Sequence, residues 1–252
     1  MFSREQLIEV FEETRELSRG IYREETARAV KDTRVIVNGS GLLKEKGNKK
    51  QVVEVINDDM VKYLESIRGS FKVAVLNPAD PYTAGGLVFN GEPTLEEHLC
   101  RCSNLYETLN KDDCYKFYYK YNRDLNTDTF SDRIIYSPRV TFFKDGKYNI
   151  LSIPVLTDVV TIPFPLGHAA TDDILVQRVK CIIGTAYNRQ VTHLVLCAIG
   201  CGAFLCNSYQ VANAFKTVLD EYKLFDKVSF VIKETSGVAD DNYNIFKEVF
   251  KV

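Results

Sequence analysis

The chain has 252 residues, 45% of them hydrophobic, enough to bury the core of one large domain or two small ones. Its 32 basic and 34 acidic residues leave a formal net charge of −2, which argues against a broad nucleic-acid surface, so DNA is not expected as a partner; backbone amides can still hold a diphosphate. No apolar run reaches the ~18 residues of a membrane span, and the charged, helix-like start over 1–13 does not read as a signal, so a soluble intracellular protein, cytoplasmic or nuclear, is expected, with no membrane partner.

In chain order, Ser3 with Gln6 makes a capping-box pattern. Leu7, Val10, Phe11, Thr14 and Leu17 then recur at helical spacing, predicting a helix to about Ser18. Val35–Val37 and Val52–Ile56 read as strands on either side of a Lys- and Gly-rich loop, and Met60–Ile67 as a helix. Val73–Leu76 is a short apolar strand that leads into a first glycine loop. Beyond it, Leu95, Leu99, Cys102, Tyr106 and Leu109 predict one helix with a single buried stripe. The polar, tyrosine-rich segment of about 112–132 is expected to be an irregular excursion. Ile134–Tyr136, Val140–Phe143 and Val159–Ile162 are predicted strands, and Thr171–Tyr187 a helix. A strand–loop–helix–strand unit follows: Leu194–Ala198, Gly200–Cys206, Ser208–Tyr222 and Val228–Ile232, the pattern of a parallel crossover. Asn242–Phe250 is a closing helix. No repeat or linker divides the chain, so a single α/β domain with a mixed sheet and helices on both faces is expected.

The seven cysteines lie largely in apolar runs and read as buried thiols. His98, Cys100 and Cys102 have H-x-C-x-C spacing, which matches no usual zinc pattern; neither a metal nor a cofactor is expected. The three histidines suggest no nucleophilic triad. Tyr115, Tyr118, Tyr119 and Tyr121 could stack a base, but read first as packing.

Two glycine loops carry the chemistry. The downstream one, AIGCGAF over Ala198–Phe204, leaves a buried strand and precedes a helix, where small residues let main-chain N–H groups approach a phosphate. Leu205 stands where a dinucleotide fingerprint has its third glycine, so an NAD-using oxidoreductase is disfavoured; a plain tight turn is an equal reading. The upstream loop has Gly85 and Gly86, and both loops follow strands, so they can converge at one sheet edge. Glu96 and Glu97 open the next helix. Thr94 and Glu97 form a T-x-x-E capping pattern, and Glu97 stands four before Arg101, an ion-pair spacing. Those features explain Glu97 without catalysis. Alternatively the two carboxylates, diverging by about 100° on the helix, touch different parts of one ligand.

The stretch NPADPYTAGGLVFNGEPTLEEHLCRCSNLY, Asn77–Tyr106, resembles the signature of macrodomain-type poly(ADP-ribose) glycohydrolases of the compact microbial kind: N-x-A, a three-glycine loop, Gln-Glu-Glu, then L-C-R-x-S-x-L-Y. LVLCAIGCGAFLCN from Leu194 resembles the family's second ligand loop, PRVTFF and VTIPFP its intervening strands, and Arg19–Thr26, more weakly, its N-terminal helix. The resemblance implies a macrodomain-like three-layer α/β/α fold with a mixed central sheet over 1–252, with a helical extension at about 1–50. It implies an enzyme that releases ADP-ribose from poly- or mono-ADP-ribosylated targets; an ADP-ribose-binding macrodomain with weak or no hydrolysis is the alternative. By resemblance, Glu97 is the general acid and base and Glu96 orients a ribose hydroxyl. Asn77 fixes the distal ribose, and Gly85, Gly86 and Leu87 lie along the ligand. Gly200, Cys201, Gly202 and Ala203 offer amides to the diphosphate, and Phe204 packs on the ligand. Three positions depart from the pattern: Ala84 replaces a proline, Leu87 the third glycine and Leu95 the glutamine. Leu87 is expected to crowd the distal ribose.

Overall fold

Ser3 Oγ accepts the N–H of Gln6 at 3.2 Å and Gln6 Oε1 accepts the N–H of Ser3 at 2.8 Å, so the capping box starts α1 (Arg4–Arg19). In order there follow α2 (Arg23–Asp32), β1 (Arg34–Ile36), β2 (Val52–Ile56), α3 (Met60–Ser66), β3 (Val73–Pro78), α4 (Leu95–Cys102) and α5 (Leu105–Leu109). Next come α6 (Asp112–Cys114), a π-helical turn (Tyr115–Tyr119), α7 (Lys120–Leu125), β4 (Ile134–Lys144) and β5 (Ile150–Ile162). The chain ends with α8 (Asp172–Asn188), β6 (His193–Leu196), α9 (Ser208–Tyr222), β7 (Lys227–Val231) and α10 (Asn242–Phe250). The computed structural model describes residues 2–69, 71–234 and 241–252.

Some elements depart from the sequence expectation. The single helix predicted over Leu95–Leu109 is two, because Ser103 takes φ −150° and bridges Phe142 of β4. Asn104 then exchanges two hydrogen bonds with the Thr141 backbone, docking the break onto the sheet. The segment expected to be irregular is helical from Asp112 to Leu125. The π-turn inserts an extra residue and brings both Tyr118 and Tyr119 inward, so the apolar positions lose the 3.6-residue period that marks a helix. The two strands predicted around Pro138 are one, β4, with a bulge between Ser137 and Val140 where Arg139 adopts φ +53°. The carboxylate of Asp158 accepts the Arg139 N–H there at 2.9 Å.

The seven strands form one mixed sheet in the order β1-β4-β5-β3-β6-β7-β2. β4 is antiparallel to both its neighbours, while β5, β3, β6, β7 and β2 run parallel. The central strands β3 and β6 are apolar and wholly enclosed at Val75, Leu76, Val195 and Leu196, as a parallel sheet covered on both faces requires. The helices form two groups: α8, α9 and α10 pack on one another, and α1, α2, α4 and α5 make the other group. The result is an α/β fold of the three-layer, macrodomain-like kind. All seven cysteines are buried. Among the described residues no helix is long and apolar enough to cross a membrane.

Candidate active site

Five parallel strands present their carboxyl ends along one edge, the place where open α/β sheets bind ligands. An open cleft of about 1000 Å³ lies there, room for a nucleotide-sized molecule. Its wall is built from Pro78–Asp80 after β3, Cys197–Gly200 and Gly202–Phe204 after β6, Phe164 after β5, Asp58 and Asp59 after β2, Ile232 after β7, and the start of α4.

Glu96 and Glu97 both line this cleft and are only 3% and 4% exposed, which rules out the solvated-face reading of Glu97. Neither of the expected local roles of Glu97 is played. Thr94 makes no side-chain bond to the helix backbone; its hydroxyl donates to the Glu97 carboxylate instead. Arg101 is fully buried and donates through Nε to the carbonyl of Leu7 at 3.1 Å, and no ion pair joins it to Glu97 among the described residues. The other oxygen of Glu97 accepts the N–H of Leu87 at 2.9 Å. Glu96 accepts the N–H of Asp80 at 2.7 Å and Nδ2 of Asn77 at 3.2 Å.

Although neighbouring helical positions diverge, both carboxylates reach the same glycine. A Cβ on Gly86 would lie 2.5 Å from Glu97 Oε1 and 3.2 Å from Glu96 Oε2. Burial, opposed by the Asp80 N–H and the Asn77 amide and reinforced by the charge of Glu97, holds the Glu96 carboxyl well above the usual carboxylate range. Glu96 therefore keeps its proton at a pH where a solvated glutamate has lost it.

The first loop explains its own composition. Gly85 and Gly86 have φ +68° and +57°, in the left-handed region that glycine enters freely, whereas Leu87 has φ −99°. The third position of the loop therefore has no conformational need for glycine. The Leu87 side chain is 52% exposed at the cleft, and its N–H performs the bond to Glu97. Leu95, at the first position of α4, packs partly against the core and also borders the cleft.

The helix after the second loop starts where the sequence placed it: Asn207 caps α9 by accepting the Gln210 N–H at 3.1 Å, three residues beyond Phe204. Within the loop, the Cys201 N–H is turned to the carbonyl of Ala198 at 3.2 Å and the Cys201 side chain is buried, so this amide already has an acceptor. The N–H groups of Gly202, Ala203 and Phe204 find no acceptor among the described residues. At Gly202 a Cβ would meet nothing within 4 Å, so the loop is open on that side. Gly200 takes φ +80° and sits against Phe164 and Cys206. Three successive amides without an acceptor among the described residues, beside a cleft, are donors of the kind that backbone anion sites use.

Asn77 is fully buried and does not line the cleft wall, its Nδ2 shared between Glu96 and Thr161 Oγ1, each at 3.2 Å. It holds Glu96, and its Oδ1 has no hydrogen-bond partner among the described residues. Gly85 and Gly86 are likewise buried behind the wall.

Sequence reasoning passed over several wall residues. Asp80 accepts the N–H groups of Tyr82 and Thr83, both at 2.7 Å, in an Asx turn that fixes the first loop; the D-P-Y-T string was its visible signal. His98 stands between the Tyr148 hydroxyl, 3.0 Å from Nδ1, and Asp59, 3.2 Å from Nε2. Burial raises Asp59, but the hydrogen bond and charge of His98 outweigh it and hold the carboxyl down at about 2. No local pattern could have joined residues 59, 98 and 148.

The family described as "Microbial-type PARG, catalytic domain" matches residues 12–145, somewhat more than half of the chain, a span that holds the first loop and both glutamates. The fold is similar to poly(ADP-ribose) glycohydrolase from Thermomonospora curvata, with TM-score 0.86 and 26% identity over 97% of this chain and 99% of that one. It is similar also to the Deinococcus radiodurans enzyme in complex with ADP-ribose, with TM-score 0.82 and 26% identity over 90% of this chain and 96% of that one. The Thermomonospora curvata enzyme bound to the inhibitor ADP-HPD has TM-score 0.85 at 24% identity over 96% and 98%, a likeness of fold. No curated protein matches the chain in sequence.

Proposed function

Since the chain belongs to the microbial-type poly(ADP-ribose) glycohydrolase catalytic-domain family, and is thus a glycosidic-bond hydrolase that releases ADP-ribose, we propose that Glu97 is its general acid and base. The observation that carries this reading is the placement of Glu97: enclosed at the cleft floor, gripped by Leu87 and Thr94, and beside a second carboxylate that retains a proton.

In this reading one ADP-ribose unit occupies the cleft, its diphosphate against the amides of Gly202, Ala203 and Phe204 and its distal ribose at the glutamate pair. The anomeric bond breaks through an oxocarbenium-like state. Glu97 gives its proton to the departing oxygen, then accepts one from the water that attacks the ribosyl carbon. Glu96, fixed by Asn77 and Asp80, meets a ribose hydroxyl. Gly86 lets both carboxylates approach, and Leu87 covers the ribose from the rim.

The substrate is polymer or singly ADP-ribosylated protein, and the whole of 1–252 acts as one catalytic unit. Incubation with each substrate, with free ADP-ribose as the readout, tests this. Multiple turnovers on either support it. ADP-ribose binding without product from both leaves a binding module and refutes catalysis.

A further inference from the structure

The strand order sets the direction of a ligand in the cleft. Glu96 is tied to Asn77 on β3, the amides of Gly202, Ala203 and Phe204 follow β6, and the next strands in the sheet are β7 and β2. An ADP-ribose laid out in that order carries its adenosine half to the far end of the cleft. That end is lined by Asp58 and Asp59 after β2, Lys233 after β7, and the rings of His98, Tyr148 and Phe2.

Both carboxylates there are already occupied by protein donors. Asp59 caps α3 by accepting the N–H groups of Val61 and Lys62 at 3.0 and 3.3 Å, accepts His98 Nε2 at 3.2 Å, and lies 3.6 Å from the Lys233 ammonium. A carboxylate has about four lone-pair sites, so none is left over for the amino group of a base. Asp58 holds Lys62 Nζ with both oxygens, each at 2.9 Å. His98 is spent as well, Nε2 on Asp59 and Nδ1 on the Tyr148 hydroxyl at 3.0 Å.

What remains toward the cleft is ring surface. Tyr148 lies between Phe2 and His98, its centroid 5.2 and 5.3 Å from theirs. Its backbone takes φ +69°, a conformation that bulky residues avoid. The preceding turn holds it there: the Asp145 carboxylate accepts the N–H groups of Lys147 and Asn149 at 2.8 and 2.9 Å. Gly146 seats this turn directly on Asp59, since a Cβ would lie 2.4 Å from Oδ1. Backbone strain of this kind persists where the surroundings over-determine it, and it gathers at ligand clamps.

We propose that Tyr148, backed by His98 and Phe2, is the platform on which the base of the bound nucleotide stacks, and that this end of the cleft reads the flat face of the base and not its amino edge. The inference rests on the function proposed above and adds a specificity to it: hypoxanthine, which carries an oxygen in place of the amino group, serves nearly as well as adenine. Stacking is tolerant because every base has a π face. A site built to hydrogen-bond an amino group rejects the analogue without it by orders of magnitude.

The test measures the affinities of ADP-ribose and inosine diphosphate ribose by calorimetry on the wild type, Tyr148→Ala and Tyr148→Phe, with thermal melts alongside. The wild type is expected to bind the two ligands within about threefold of each other. Tyr148→Ala should weaken both by one factor, about tenfold, while Tyr148→Phe, which keeps the ring, stays within about threefold of the wild type. A larger loss for the inosine ligand on the wild type means that the amino edge is read, and overturns the proposal. So does an affinity unchanged in Tyr148→Ala, or lost equally in Tyr148→Phe, since the ring would then serve packing alone. The comparison of the two ligands on the wild type needs no variant, so it decides the matter even where Tyr148→Ala fails to fold. Wild-type protein that binds neither ligand overturns instead the functional reading beneath.

Discussion

The carboxylate of Glu97 accepts the main-chain N–H of Leu87 at 2.9 Å. Through this bond, the residue at the loop's third position fixes the Glu97 side chain with its backbone, and its own side chain is left to face the cleft. Leu87 was expected to crowd the site. Its φ of −99° shows that the backbone there suits any L-residue.

Leu87→Gly should therefore leave turnover near the wild-type value. It should lower stability by about 0.4–1 kcal/mol through the freer unfolded chain. Gly86→Ala should behave oppositely. Its Cβ would meet Glu97 Oε1 at 2.5 Å in a left-handed conformation, so the carboxylate must move, and turnover should fall about a hundredfold. Steady-state kinetics and thermal melts of the two variants side by side check this; equal losses in both would contradict it.

Asn77 supports Glu96 from behind the wall. Asn77→Leu removes the donor and leaves a buried carboxylate oxygen without it, costing about 1–3 kcal/mol of stability. ADP-ribose affinity should be little changed, because the side chain does not line the cleft. Denaturant melts and calorimetry separate the two effects. A large loss of affinity without loss of stability would restore Asn77 to a direct ribose contact.

The raised Glu96 carboxyl makes stability depend on pH with a definite sign. The folded protein binds this proton more tightly than the unfolded chain, whose reference value is 4.5. The contribution is complete below that pH and drains as pH rises through the folded-state value. Relative to the non-titrating Glu96→Gln, the wild type should lose stability steadily as pH is raised above the unfolded-chain value of 4.5. Melting curves across that range read the difference, and a gap that widens in favour of the wild type would show the carboxyl is instead held down.

Much of this was legible in the chain, and what was not has physical causes. Strand β2 and helices α9 and α10 begin and end where hydrophobic period and capping residues place them. The glutamate pair and both glycine loops could be picked out because their chemistry depends on local spacing. Helix α4 breaks at Ser103 for a reason set by β4, far along the chain at Phe142. The π-turn hides a helix by shifting its period. The burial of Asn77, the spent amide of Cys201 and the grouping of Asp59, His98 and Tyr148 are products of tertiary packing. His193 illustrates the same limit from the structural side. It is wholly enclosed on β6 against Ser229, and burial, with the charge of Lys227, takes its pKa down to about 4, so it is a neutral core residue.

The central claim is that Glu97 transfers the proton. Glu97→Gln retains an oxygen for the Leu87 N–H and a nitrogen toward Thr94, so the fold and cleft should persist. The direct measurement is ADP-ribose release from polymer by this variant, alongside its calorimetric affinity for ADP-ribose. The account predicts turnover lowered about 10²–10⁴-fold with affinity within about tenfold of the wild type. Release at the wild-type rate would contradict it.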